Sequence, residues 1–115
     1  SGVAQVLLNL IDHGMGPQQA VDAPRIHHQW LPDTLFAERF ALPPDARATL
    51  AAQGYKIADQ PEAGAVALIV AGPPEGSALN PLSWLPDATA SRGLRPGYIY
   101  GAFDPRRPAG AAIGY

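Results

Sequence analysis

Between Gly2 and His13 the aliphatic residues Val3, Val6, Leu7, Leu10 and Ile11 return at helical spacing, while Gln5, Asn9 and Asp12 fall on the other side. The pattern predicts an amphipathic helix. Ser1 is placed to cap its start and Gly14 to end it in left-handed backbone, with His13 near the negative end of the helix dipole. Burying five such side chains contributes roughly 7 to 15 kcal/mol as an upper bound. The helix therefore has to pack on something.

Pro17 suits the first turn of a second helix through Gln18, Gln19, Ala20 and Val21, and Pro24 stops it from passing Ala23. Arg25 to Trp30 and Leu35 to Glu38 read as extended segments around a turn at Leu31-Pro32-Asp33. A third helix is predicted from Pro44 to Gln53, with Ala46, Thr49 and Leu50 as its apolar stripe and Gly54 as its stop. Tyr55 to Ala58 follows as a short strand.

The clearest strand is Ala65 to Ala71, an unbroken apolar run between Gly64 and Gly72-Pro73-Pro74, and a second is Tyr98 to Phe103. Between them residues 72–97 hold five prolines and four glycines without sustained periodicity, which predicts a long surface loop. Paired, the two strands form an antiparallel hairpin, and the fold class is α+β, an antiparallel sheet with helices on one face. In the first strand Val66, Leu68 and Val70 point one way and Ala65, Ala67, Ile69 and Ala71 the other, so neither face is polar. The predicted helices can cover only one of them. The ending Ala111-Ala112-Ile113-Gly114-Tyr115 is likewise ill suited to solvent. A partner surface is the simplest remedy, and self-association of the chain alone is an expected consequence.

Composition narrows the function. With 115 residues, 47% of them apolar, the chain suits one small domain, residues 1–115. Eight basic and ten acidic residues are dispersed to a net charge of -2, with no basic block for phosphates or anionic lipid, so nucleic acid and membrane surfaces are poor partners. No apolar run approaches the ~20 residues that cross a bilayer, and no basic leader precedes the first helix, so the segment carries no address of its own. Absence of cysteine removes disulfides and thiolate metal sites.

Candidate chemistry is sparse. Adjacent His27 and His28 project to opposite faces of an extended segment and cannot share a metal without distortion; the plain expectation is one imidazole bonded inside and one at a surface or interface. Ser1 leads into a helix, which suits a cap better than a nucleophile. Thr34, Thr49 and Thr89 have no base in sequence reach. Asp104 before Pro105 predicts a turn whose carboxylate accepts local N–H groups, and its pairing with Arg106 or Arg107 reads as surface electrostatics worth ~0 to 1 kcal/mol, as does Glu38 beside Arg39. Trp30 and Trp84 read as packing anchors. There is no phosphate loop, carboxylate pair or metal cluster. No catalytic, cofactor-binding or metal-ligating residue is assigned.

Residues 5–38, 50–57, 64–70 and 98–115 taken in order resemble the carboxy-terminal stretch of the γ-glutamyltransferase (γ-glutamyl transpeptidase) family. The most specific parts are Ala20-Val21-Asp22-Ala23-Pro24-Arg25 with His27-His28-Gln29, and Gly101-Ala102-Phe103-Asp104-Pro105-Arg106. The resemblance implies the carboxy-terminal half of the small subunit of an N-terminal nucleophile hydrolase, an αββα sandwich shared by two subunits cut from one precursor. It implies an acyl-enzyme on a threonine, stabilised by a glycine pair that normally precedes the helix of Val3 to Ile11; both lie outside this chain. The implied activity cleaves γ-glutamyl amides such as glutathione and passes the acyl group to water or an amine, without metal or organic cofactor. The implied partners are the remainder of the small subunit and the large subunit, and bacterial members of the family are commonly exported. Related cephalosporin or glutaryl acylases, or a non-catalytic interaction module, are the alternative readings. Two departures stand out: Tyr55, where the family often has histidine, and the loop at 72–97, where it usually has a short turn.

Overall fold

Two strands that are far apart in sequence form the centre of the molecule. The computed structural model describes residues 1–72, 94–95, 97–107 and 110–112. Its elements are α1 (Gly2–Ile11), α2 (Pro17–Asp22), β1 (Ile26–His27), β2 (Leu35–Ala37), α3 (Pro44–Ala52), β3 (Ile57–Asp59), β4 (Leu68–Ala71) and β5 (Ile99–Ala102). Most of the loop predicted at 72–97, with Trp84 and Thr89, lies outside the described residues, as do residues 113–115.

Strands β4 and β5 pair antiparallel in the expected hairpin, with Leu68 opposite Ala102 and Val70 opposite Tyr100. The strand is shorter than its apolar run, because the N–H of Val66 donates to the Asp104 carboxylate at 2.8 Å instead of to a strand partner. A second sheet has the order β1-β2-β3. Its β1–β2 pair is antiparallel, but β2 and β3 run parallel, joined through α3, a pairing that local patterning does not reveal.

The core lies between the helices and one face of β4–β5. Val6 and Leu10 of α1, Ala20 and Val21 of α2, Val66, and Ala102 of β5 are buried together, with Met15, Leu68 and Val70 packed against them. Pro17 opens α2 as predicted, and Gly14 takes φ +62 to turn the chain between the helices. The Gln18 amide donates to the carbonyl of Phe103 at 2.9 Å, which ties α2 to the end of β5.

The predicted stripe of α1 needs correction. Only Val6 and Leu10 are buried; Val3, Leu7, Leu8 and Ile11 are exposed. The inward face instead includes Gln5 and Asn9, because neighbouring backbone groups need partners. Gln5 bonds both the carbonyl and the N–H of Ile26, at 2.6 and 2.9 Å, and Asn9 donates to the carbonyl of Ala20 at 3.2 Å. Helix α3 fully buries none of its residues: in the predicted stripe Ala46 and Leu50 are half-buried and Thr49 is exposed.

The packing gradient is testable by urea unfolding. Leu10→Ala is expected to cost about 2 to 5 kcal/mol, as for other buried leucines, whereas Leu50→Ala on α3 should cost under about 1 kcal/mol. Equal losses at the two positions would contradict this assignment of the core.

Candidate functional site

The two motifs most specific to the chain, separated by about eighty residues of sequence, meet at one buried cluster of charges. Pro24 ends α2 and delivers Arg25 into the interior, where it is 1% exposed. Its guanidinium pairs with Asp104 at 2.7 Å and donates to the carbonyls of Val21 at 2.7 Å and Gly64 at 3.2 Å. The turn at Asp104-Pro105 brings Arg106 back to the same place. Arg106 grips Glu38 with two donors, at 2.6 and 2.5 Å, reaches Asp104 at 3.1 Å, and donates to the carbonyls of Val21 and Ala23, each at 3.0 Å.

The carboxylates are equally occupied. Glu38 accepts the N–H groups of Arg25 at 2.8 Å and Ala63 at 2.6 Å; Asp104 accepts those of Val66 at 2.8 Å and Arg106 at 3.0 Å. Two cations and two anions thus join the end of α2, the end of β2, the approach to β4 and the end of β5. The local turn at Asp104 is as predicted. The expectation of surface electrostatics for Asp104, Glu38 and Arg106 is corrected: Arg25, Glu38 and Asp104 are all buried.

Burial by itself pushes the Asp104 carboxyl up. The N–H groups of Arg106 and Val66 and the guanidiniums of Arg25 and Arg106 outweigh it and hold the group at about 2. Burial also raises Glu38, but hydrogen bonds from Arg106, Ala63 and Arg25 and the Arg106 charge bring it below its ordinary value. Arg106 is raised, first by its bond to Glu38 and against its own burial, with Asp104 assisting. Both carboxylates are held in the charged form by donors on each oxygen, and through those bonds the cluster positions the chain segments that meet there.

The histidines sit elsewhere and have separate partners. His27 Nδ1 lies 2.6 Å from Ser1 Oγ, and its Nε2 is 3.1 Å from Gln29 Oε1. Because the Gln29 oxygen accepts only, Nε2 is the donor of that pair, and in the neutral ring Nδ1 then accepts from the Ser1 hydroxyl. Ser1 thus makes no side-chain cap bond to α1, contrary to expectation. His28 Nε2 lies 3.4 Å from Asp33 Oδ1. Both imidazoles are half-buried, so neither is the interior group expected of the pair. Thr49 Oγ1 donates to the Asp45 carbonyl within its helix. Among the described residues no three His, Asp or Glu side chains converge as a metal site.

The sheet face turned away from the helices is the other notable surface. Ile69 and Ile99 are 78% and 74% exposed there. Together with Ala67, Tyr98, Gly101, Ala111 and Ala112 they line an open hollow of about 800 Å³. A Cβ on Gly101 would come within 3.2 Å of the Ala112 methyl, so glycine lets the returning chain lie close against this face. The sequence identified this bare face. It missed the charge cluster, for which the repeated Pro-Arg pair at 24–25 and 105–106 was the available signal.

Asp104→Asn leaves Arg25 buried without its anion and is expected to destabilise the chain by about 3 to 5 kcal/mol near neutral pH. Since the folded carboxyl titrates below its unfolded value of 3.8, its contribution is fully present above about pH 4 and is lost as pH falls through about 2. Urea midpoints of the two proteins should therefore converge toward pH 2. A loss under about 1 kcal/mol at pH 7 would mean that the pair is solvated.

With the geometry in place, comparison with known proteins is specific. The γ-glutamyltranspeptidase family profile matches residues 1–114. A glutathione hydrolase proenzyme of Pseudomonas sp. (strain A14) is 39% identical over 95% of this chain, and one of Escherichia coli (strain K12) is 34% identical over 98%. The chain spans only 17% and 16% of their lengths. A solved Helicobacter pylori γ-glutamyltranspeptidase superimposes with a TM-score of 0.68 at 35% identity, covering 92% of this chain and 47% of that one. The chain belongs to the γ-glutamyltranspeptidase family.

Proposed function

We propose that this chain is a structural part of an enzyme that cleaves γ-glutamyl amides such as glutathione and passes the γ-glutamyl group to water or to an amino acid or peptide amine. The observation that carries the reading is the bare apolar face of β4–β5, in a chain spanning 17% of a curated glutathione hydrolase proenzyme. A sheet with helices on one side and exposed Ile69 and Ile99 on the other needs a second layer. The rest of the small subunit and the large subunit of the same precursor would supply that layer, together with the nucleophile and oxyanion donors. The chain's own part is mechanical. The charge cluster fixes β4–β5 against α2, so that the bare face is presented as a rigid floor for the catalytic layer.

On this reading the full-length protein releases the aniline from a γ-glutamyl anilide, and residues 1–115 alone do not. A full-length protein without γ-glutamyl hydrolysis, or turnover by the purified 1–115 chain, would overturn it. Ile69→Asp in the full-length protein should reduce recoverable activity at least about tenfold by placing a charge in the covered layer. Sedimentation of the 1–115 chain should show self-association through the same face, and a clean monomer with wild-type activity of the Ile69→Asp enzyme would count against the assignment.

A further inference from the structure

The loop between β1 and β2 is built to hold two apolar side chains out. Trp30 is 78% and Leu31 62% exposed, and Trp30 adopts φ +73, a backbone region that bulky residues avoid. The surroundings hold it there. The Trp30 N–H donates to His28 Nδ1 at 3.2 Å, while His28 Nε2 faces Asp33 at 3.4 Å. The Leu31 N–H donates to the Gln29 carbonyl at 3.0 Å, the Gln29 amide donates to the Leu31 carbonyl at 3.1 Å, and the Thr34 N–H donates to the Pro32 carbonyl at 2.8 Å. His27, stacked on Phe36, buttresses Gln29 from behind. An unusual backbone fixed by polar bonds at both ends, with its indole in solvent, has the form of a preorganised anchor.

We infer that Trp30 and Leu31 form a docking knuckle that inserts into an apolar pocket on the remaining γ-glutamyltranspeptidase polypeptide, a contact separate from the bare face of β4–β5. The inference rests on the reading of this chain as part of a larger protein. Size selects that occupant over a second copy. A Trp buries roughly 150 to 250 Å², and with one Leu added the knuckle stays well short of the roughly 800 Å² per partner that a stable dimer needs. A segment held in the same folded protein needs no such area, because the association is effectively intramolecular.

The test is hydroxyl-radical footprinting of the full-length protein, with oxidation at Trp30 followed by peptide mapping in the native state and in urea. The expected result is native oxidation at least about tenfold slower than in the unfolded protein, unchanged on dilution to a monomeric state. Native oxidation within about twofold of the unfolded rate overturns the knuckle, and protection that disappears on dilution overturns the choice of occupant in favour of a second copy. Activity on a γ-glutamyl anilide separates the two ideas. Protection at Trp30 in a protein without that activity supports the knuckle and removes the proposed function, whereas activity with a fully reactive Trp30 removes the knuckle alone.

Discussion

The pairing of Arg25 and Arg106 with Asp104 and Glu38 is the constraint on which the rest of the structure depends. Four segments meet at these side chains: three carry the charges, and the approach to β4 adds the backbone groups of Ala63, Gly64 and Val66. The apolar core next to them is small, with Val6, Leu10, Val21 and Val66 as its largest fully aliphatic members. Such a core does not by itself dictate how one sheet lies against the other. The cluster does, because an arginine buried beside two carbonyls and a carboxylate has few alternative positions of comparable energy. The cost of desolvating these ions is offset by hydrogen bonds to the carboxylate oxygens and from the guanidinium N–H groups, with the Arg25 Nε–H left as a buried donor without a partner.

This arrangement separates stiffness from chemistry. The cluster ties α2, β2 and the β4–β5 pair together, and every oxygen of its two carboxylates accepts hydrogen bonds from the segments that it joins. The outward sheet face presents exposed hydrocarbon at Ile69, Ala71 and Ile99, with the Tyr98 side chain lining the same hollow and Ala112 lying against Gly101.

Much of this was legible in the sequence where the cause is local. Pro17 and Pro24 set the limits of α2, Gly14 turns the chain in left-handed backbone, and the run from Val66 to Val70 revealed a strand apolar on both sides. The family was legible from the Ala-Pro-Arg and Asp-Pro-Arg segments, whose physical role was not. Arg25 and Asp104 lie 79 positions apart, and no periodicity links them. Charged residues are ordinarily solvated, so a surface reading of Asp104 and Glu38 was the natural error. Gln5 and Asn9 misled for a related reason: as polar residues they marked the outer side of α1, whereas the backbone of Ile26 and Ala20 drew them inward. The parallel pairing of β2 with β3 depends on how α3 returns the chain, which alternation of residues does not encode.

The central claim is that the outward face of β4–β5 is an internal surface of the complete protein. Because these 115 residues contain no cysteine, Ile69→Cys places a single thiol in this segment, and its reaction with a maleimide in the full-length protein can be followed by peptide mapping. The thiol is expected to be protected in the native protein and to react once the protein is unfolded. Reaction in the native protein at the unfolded rate would contradict it.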